Sequence, residues 1–403
     1  MAIMPNIRIS GPLAPFIDGV RSYLLAQGYT PLSSNNLLRL MSHLSRWLVH
    51  TGTRLRDITR EHIEAFFCER RQAGYIHFLT PRSLSSILKY LEAEGVVSLP
   101  ESAAPPPSAL DELMDDYARY LVDERALQPR TVRYYRLSAR TFLSEHVDSE
   151  GLDLTRINVD DVTSFILRQS RTFSKGTTKL MVCVLRSLFR FLHVRGDIEG
   201  ELADGVPAVA GWRQAGLPKF ISMQLLQRLL KSCDRRTHVG RRDFAVLLLL
   251  ARLGLRSCEV EALELDDVHW RAGELVLRGK GNMDARLPLP ADVGEAVAAY
   301  LRGGRPHSTL RSVFLTCRAP YRPLSRTSVT AIVYQAAARS GLPRIGAHRL
   351  RHTAATQMLR NGASLDDVAQ VLRHKSIDTT AIYAKVDRNT LRELARPWPG
   401  GVV

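Results

Sequence analysis

The segment 347–386 constrains the fold of this chain most strongly, because three helix signals follow one another within it. A helical apolar stripe begins after Gly346 and stops at Asn361. Ser364 then opens a second helix through a capping box, and Ser376 can cap a short third helix. Three short, closely linked helices are expected to bring their polar side chains together.

Two histidines, an arginine and a tyrosine lie on these predicted helices: His348, Arg351, His374 and Tyr383. His348 and Arg351 are spaced i, i+3, so they project from one helix face. Two imidazoles and a guanidinium suit an anion with several oxygens, and a tyrosine beside them can attack phosphorus. Any one of these residues alone is more often structural. Together in one compact segment, they predict a phosphoryl-transfer site.

The segments AHRLRHTAAT and LRHKSIDTTAIYAKV resemble the two C-terminal signature boxes of the tyrosine recombinases, the phage integrase family. The family pattern is His-x-x-Arg-His, then a second His, then the nucleophilic Tyr nine residues later. His374 and Tyr383 have that spacing. The family usually carries Gly before the second His, where a left-handed helix end is expected. Arg373 occupies that place here and is a candidate phosphate contact.

A further box precedes these, after a predicted buried helix over 244–253. The sequence GLRSCEVEAL resembles the family's first arginine box, which implies that Arg256 is the catalytic arginine and Glu259 its acidic companion. Ser257 is a good N-cap, so we expect Arg256 to lie at a helix N-terminus, where the backbone favours an anion.

A hairpin comes next in the chain. The ranges 274–278 and 285–289 read as two short strands around a GKGN turn, and a helix is expected near 326–339. The GKGN turn resembles the family's β-hairpin lysine box, which implies that Lys280 is the catalytic lysine. A GKG turn by itself is only a weak signal.

The resemblance implies transesterification of a DNA phosphodiester, with Tyr383 forming a 3′-phosphotyrosyl link and a 5′ hydroxyl leaving. The two catalytic arginines would hold the non-bridging oxygens, and His374 would donate a further hydrogen bond to the phosphate. His348 would assist proton transfer at the tyrosine, and Lys280 would protonate the leaving oxygen. No cofactor and no metal is expected.

Two helical regions, 12–98 and 109–198, repeat one order of apolar positions, which indicates an internal duplication. The matched positions are Tyr23-Leu24 with Tyr120-Leu121, Arg39-Leu40 with Arg136-Leu137, Ile58 with Ile157, Ile63 with Val162, Phe66 with Phe165, Leu84 with Leu185, Ile87 with Leu188, Tyr90 with Phe191, Leu91 with Leu192, and Gly95 with Gly196. A Pro-rich linker, LPESAAPPPS, separates the copies.

We therefore predict three domains: 1–103, an N-terminal helical domain; 104–215, a core-binding helical domain; and 216–403, the catalytic domain. The expected fold class is mainly α, with two small helical DNA-binding-type domains before a mixed α+β tyrosine recombinase catalytic domain that holds a small β-sheet. The second copy resembles the family's core-binding domain. The first is an addition to the minimal pattern, as in transposon-associated members.

Basic residues opposite the apolar stripe are candidates for phosphate contact. With the arginine already named, they are Arg133, Arg136, Arg140, Lys175, Lys179, Arg186 and Arg373. The net charge of the 403-residue chain is +16, which favours a polyanionic partner, most simply double-stranded DNA.

Five scattered cysteines without a CxxC motif indicate reduced thiols and a cytoplasmic protein. The N-terminus shows no apolar leader, and the apolar run 245–255 contains Arg252 and is too short to span a bilayer. No membrane association is expected.

The family resemblance also implies assembly as a tetramer on DNA, either of identical subunits or with other recombinase subunits. The tail 384–403, with Leu391, Leu394 and Trp398, is expected to dock on a neighbouring subunit.

Two other functions remain open. A type IB topoisomerase uses the same chemistry but relaxes DNA, and a silent DNA-binding regulator would keep only the basic surface. The presence of all six catalytic positions argues against the regulator. The duplicated helical domain and the spelling of the boxes argue against the topoisomerase.

Overall fold

The computed structural model describes residue 7 and residues 9–98, 107–148, 151–199, 202–210, 218–278, 284–374 and 376–386. These residues are mainly helical and contain two small antiparallel sheets, in agreement with the predicted fold class. Two compact units are present, Glu101–Ala215 and Met1–Pro100 with Gly216–Val403. In the described part of the chain, no helix is both long and apolar enough to cross a membrane.

The first helical region has its own apolar core. Its helices are α1 (Ile17–Ala26), α2 (Pro31–Thr51), α3 (Arg60–Gln72) and α4 (Ser85–Ala93). Thr30 caps α2 by accepting a hydrogen bond from the N–H of Ser33, and Thr59 forms a capping box with His62 at the start of α3. These caps fix where α2 and α3 begin, and the buried apolar residues determine which face each helix turns to the core.

The unit Glu101–Ala215 also consists mainly of consecutive α-helices, like the first helical region. Its elements are α5 (Ala109–Asp123), α6 (Pro129–Leu143), β1 (Val147–Asp148), β2 (Gly151–Leu152), α7 (Val159–Thr172), α8 (Lys175–Arg195) and α9 (Leu202–Gly205). The two strands pair as a short antiparallel hairpin that the apolar pattern did not predict.

Most of the matched positions of the predicted duplication are buried in both regions. Ile63 and Val162, like Phe66 and Phe165, lie in the cores of their regions. Gly95 and Gly196 both end a helix with positive φ, 68° and 83°. One match is wrong: Leu40 is buried, whereas Leu137 is 64% exposed. On α6 the core positions at that level are Ser138 and Ala139.

The remaining described residues form the catalytic region. Its elements are α10 (Met223–Lys231), α11 (His238–Arg252), α12 (Ser257–Ala262), β3 (Val268–His269), β4 (Glu274–Leu277), β5 (Ala285–Pro288), α13 (Ala291–Gly303), α14 (Arg326–Arg339), α15 (Ala347–Arg360), α16 (Leu365–Leu372), α17 (Ile377–Thr380) and a 3₁₀ helix, Ala381–Val386. The strands pair antiparallel in the order β3-β4-β5, and Leu275 pairs with Leu287 on the buried face.

Helix α11 lies at the centre of this region. Residues 245–251 are all buried, as the continuous apolar run predicts, and α11 packs against α13 and α15. Gly254 ends the helical segment with φ 61° and leads directly to α12. The central helix therefore fixes the position of α15 and the start of α12, the two elements that carry the candidate arginines.

The structure differs from two local predictions, the N-cap of α12 and the extent of the helix after Ser376. The N-cap of α12 is Arg256 and not Ser257, because the Glu259 carboxylate reaches back to the N–H of Arg256. The third helix after Ser376 is broken into α17 and the 3₁₀ segment, and the latter carries Tyr383.

Candidate active site

Glu259 lies between two arginines at the start of α12. Its Oε1 accepts a hydrogen bond from Arg256 Nη1 at 2.8 Å, and its Oε2 accepts one from Arg373 Nη2 at 2.8 Å. Burial disfavours the charged carboxylate, but Arg373 and Arg256 outweigh burial and lower the pKa of Glu259. The ionised carboxylate holds both guanidinium groups in place.

Arg373 supplies the left-handed helix end at which the family usually has Gly. It is the C-cap of α16, with φ 54° and ψ 51°. A non-glycine residue pays a steric cost in this conformation, of about 1–2 kcal/mol. Its side chain is 15% exposed and also donates to the carbonyl of Val371 at 2.7 Å. The candidate phosphate contact at Arg373 is thus engaged with Glu259 in this structure.

Arg351 is the largest fully buried side chain of the described residues, 2% exposed. It donates to the carbonyl of Gly254 at 2.6 Å and to the carbonyl of Leu372. Burial, with Arg256 nearby, lowers the pKa of Arg351 to about 10, so the guanidinium remains charged at neutral pH. The two carbonyls therefore hold the Arg351 guanidinium between the end of α11 and the end of α16.

Tyr383 reaches into the same place from the 3₁₀ segment. The side chain is 1% exposed and packs with Leu359, Val368 and Leu372. Its Oη shares a hydrogen bond with Nδ1 of His352, at 2.8 Å. Burial raises the pKa of Tyr383 to about 12, so the phenol is protonated and neutral.

Two imidazoles, of His352 and His374, contact the tyrosine, and a third, of His348, contacts His352. The ring of His374 stacks parallel to Tyr383 with 6.4 Å between centroids, and its Nδ1 lies 2.7 Å from Thr380 Oγ1. His348 lies edge-on to His352 with 4.4 Å between centroids. Burial, followed by neighbouring charged and imidazole groups, lowers the pKa of both His352 and His374 to about 4. Desolvation and Arg351 lower the pKa of His348 as well.

Five of the six predicted catalytic residues therefore converge in one place: Arg256, His348, Arg351, His374 and Tyr383. Lys280 lies outside the described residues. His352 was not among the predicted site residues, although it is the last residue of the His-x-x-Arg-His motif. Its position four residues after His348, on the same helix face, was the signal that could have identified it.

The predicted phosphate contacts of the core-binding region are placed differently from one another. Arg133 and Lys175 are exposed on α6 and α8, and Lys179 is half-buried on α8. Arg136 pairs with Asp115 and Arg140 with Asp111, while Arg186 donates to the carbonyl of Val206 at 2.8 Å. The contact of each of these residues with DNA stays a prediction.

The site as a whole is cationic and contains the candidate nucleophile, Tyr383. Two of its three guanidinium groups pair with the one carboxylate, Glu259, and the third, of Arg351, is held by backbone carbonyls. The imidazoles are neutral, so the excess positive charge suits an anion. Within the described residues, no group of three or more His, Cys, Asp or Glu side chains could hold a metal ion.

Comparisons with known proteins agree with this chemistry. The sequence profile of the Phage integrase family matches residues 219–390, and that of the Phage integrase N-terminal SAM-like domain matches residues 114–196. The integrase/recombinase y4rA of Sinorhizobium fredii is 39% identical over 393 residues, which cover 97% of this chain and 95% of that protein. The tyrosine recombinase XerC of Oceanobacillus iheyensis is 31% identical over 300 residues, which cover 70% of this chain and 94% of XerC.

A solved structure shares the fold over nearly the whole chain. The recombinase XerH, in a post-cleavage complex with a palindromic difH substrate, matches with a TM-score of 0.52 and 19% identity, and covers 96% of this chain and 98% of XerH. The chain belongs to the phage integrase family, the tyrosine recombinases, which cleave and rejoin DNA strands.

Proposed function

We propose that this protein is a site-specific recombinase that cuts and rejoins double-stranded DNA through a covalent link between Tyr383 and a 3′ phosphate. One observation carries the assignment of the nucleophile. Tyr383 is buried near the Arg351 guanidinium, which acts to lower its pKa against the effect of burial, and its hydroxyl contacts an imidazole at 2.8 Å.

The two arginines have distinct tasks in this proposal. Arg351, buried and fixed by two carbonyls, provides a preorganised charge for a non-bridging phosphate oxygen. Arg256 is 41% exposed and oriented by Glu259, so it can meet the phosphate from the open side. His374 donates a further hydrogen bond, His348 assists proton transfer, and Lys280 protonates the leaving 5′ oxygen.

The resting state of the nucleophile also fits a site that acts only on bound DNA. Tyr383 is protonated, buried and hydrogen-bonded. Such a phenol is a poor nucleophile toward phosphates free in solution. A phosphodiester held by the arginines would place phosphorus next to it.

We further propose that the protein acts in the cytoplasm on two DNA sites, as a tetramer of identical subunits or with other recombinase subunits. Exchange between two duplexes requires four strands to be cut, so four tyrosines must be brought together. Integration, excision and transposition are all served by this reaction.

The test has two stages. Tyr383→Phe protein first selects its binding site from a pool of random-sequence duplexes, because it should bind without cutting. A duplex of the selected sequence, nicked close to the cleavage point, then traps the covalent intermediate of the wild-type protein. We expect a denaturant-stable adduct with wild-type protein and none with Tyr383→Phe. An adduct on the variant would show a different nucleophile. Joining of two plasmid sites, against relaxation of one supercoiled plasmid, separates recombinase from topoisomerase.

A further inference from the structure

The catalytic oxygen has a direct partner that the family resemblance did not assign. Nδ1 of His352 lies 2.8 Å from Tyr383 Oη, and the two rings meet at 61° with 5.5 Å between centroids. His348, to which the resemblance gives proton transfer at the tyrosine, contacts the ring of His352, with 4.4 Å between centroids. The imidazole that touches the nucleophile is that of His352.

The position of His352 on α15 brings its ring to Tyr383. His348 and His352 are spaced i, i+4 on α15, so their rings are neighbours on one face. Arg351 immediately precedes His352 but projects into the interior, where Gly254 and Leu372 hold it. A shift of α15 would therefore move the phosphate-binding arginine and the tyrosine's partner together.

The surroundings of His352 keep its ring neutral. Its own helix supplies Arg351 and His348, and the 3₁₀ segment supplies Tyr383, on which the ring of His374 stacks. Burial, then His348 and Arg351, lowers the pKa of His352 to about 4. A neutral imidazole has one bare nitrogen that can accept a proton.

We propose that His352 is the catalytic base that takes the phenolic proton of Tyr383 during strand cleavage, with His348 next in line behind it. This inference rests on the proposed function. In the step, the Oη–phosphorus bond forms, the bond from phosphorus to the 5′ oxygen breaks, and the phenolic proton passes to His352 Nδ1. The ring carries its other hydrogen on Nε2. The leaving 5′ oxygen takes a proton from the separate acid, Lys280. In rejoining, the 5′ hydroxyl attacks, and His352 returns its proton to the departing phenol.

Bound DNA makes this transfer easier than it is at rest. Without DNA, a phenol of raised pKa faces an imidazole of lowered pKa, so the proton stays on oxygen. A phosphate anion beside His352 favours the imidazolium and raises the pKa of His352. Arg256 and Arg351 offset the charge on the attacked phosphate at the same time.

The test measures adduct formation against pH on the selected nicked duplex, with a bridging sulfur in place of the leaving 5′ oxygen. A thiolate leaves without protonation, so the remaining pH dependence reports the nucleophile and its base. His352→Asn keeps an acceptor near the Nδ1 position but cannot take the proton. We expect its adduct rate to fall by about 10²–10⁴-fold, with DNA binding within about threefold of wild type. The wild-type rate should decline below the pKa of His352 and level off above it. In this variant the rate should instead rise steadily with pH, because the phenol must lose its proton to solvent.

His348→Asn is the matched control and should keep that low-pH decline. An H352N rate within about threefold of wild type, or above it, would overturn the proposal, because the contact would then only pack or restrain the tyrosine. If H352N does not bind the duplex, the pH dependence of the wild-type adduct rate on the sulfur-containing duplex tests the proposal instead. A flat profile there overturns the proposal. A wild-type protein that forms no Tyr383 adduct at all contradicts the proposed function instead.

Discussion

Arg373 donates a hydrogen bond of 2.8 Å to Glu259, and the backbone of Arg373 itself is left-handed, with φ 54°. The side chain of Arg373 therefore stabilises the folded protein, whereas its backbone conformation destabilises it. The ion pair neutralises a largely buried carboxylate, whereas the conformation is one that glycine adopts without strain. The same residue sits directly before His374, so the position of that imidazole depends on this balance.

Substitutions at position 373 should separate the two contributions. Arg373→Ala and Arg373→Gly both remove the ion pair, but only the glycine variant also removes the left-handed strain. We expect R373G to be more stable than R373A by about 1 kcal/mol, and R373A to be less stable than wild type. Urea unfolding of the catalytic unit, followed by tryptophan fluorescence, measures the difference. Equal stability of the two variants would show that position 373 relaxes out of the left-handed region.

The pH dependence of stability should report Glu259. Its pKa in the folded protein is below its ordinary value, so its contribution is present above the unfolded pKa of about 4.3 and is lost as the pH falls through the folded value. Glu259→Gln cannot show this loss. We expect the stability gap between wild type and E259Q to narrow as the pH is lowered from about 6 to 3. A gap that is constant over this range would mean that Glu259 titrates normally.

Much of this site was predictable because its determinants are local. Ser364 and Asp367 form the expected capping box, and α14 spans the predicted range. Arg256, Arg351 and Tyr383 were predicted because short motifs around them resemble the family's boxes, and their catalytic roles stay a prediction. The contact between His352 and Tyr383 was not predicted, because it joins two helices whose relative orientation depends on packing around Leu372. The exposure of Leu137 was missed for a similar reason, since an apolar residue can match a helical stripe and still face solvent.

Gly254 should tolerate no side chain. It has φ 61°, and an added Cβ would lie 2.5 Å from Leu372 Cδ2, next to the carbonyl that Arg351 holds. Gly273 is the matched control, because it has φ 65° and an open surrounding. We expect both alanine variants to pay about 1–2 kcal/mol for the backbone. Only Gly254→Ala should lose adduct formation, by at least tenfold, with DNA binding preserved. Similar activity of the two variants would mean that Leu372 and Arg351 adjust freely.

The first helical region should be dispensable for the chemical step. None of the site residues lies within 1–103, and this region meets the catalytic region at Gly28, where the Tyr321 N–H donates to the Gln27 carbonyl at 3.2 Å. We expect a fragment 104–403 to form the tyrosyl adduct on the nicked duplex, with weaker or less selective binding. The Tyr383→Phe form of the fragment is the control. A folded fragment that binds the duplex but forms no adduct would contradict this prediction.

The tail after Tyr383 should connect subunits and leave the chemistry of one subunit intact. Residues beyond 386 lie outside the described residues, and their role is predicted from their sequence. Tyr383 is buried within its own subunit, and the chain continues from there into a segment with Leu391, Leu394 and Trp398. A segment this short is not a stable helix alone, so its apolar residues need a surface to cover.

A deletion from residue 386 onward tests this role. The truncated protein should bind a single site and form the tyrosyl adduct nearly as well as wild type. Joint complexes of two sites, seen as slowly migrating species on a native gel, should be lost together with strand exchange. Trp398→Ala in the full chain should weaken the joint complexes without affecting single-site binding, which separates the loss of one anchor from the loss of the whole segment. If the truncated protein still assembles two sites and recombines them at the wild-type rate, another surface joins the subunits.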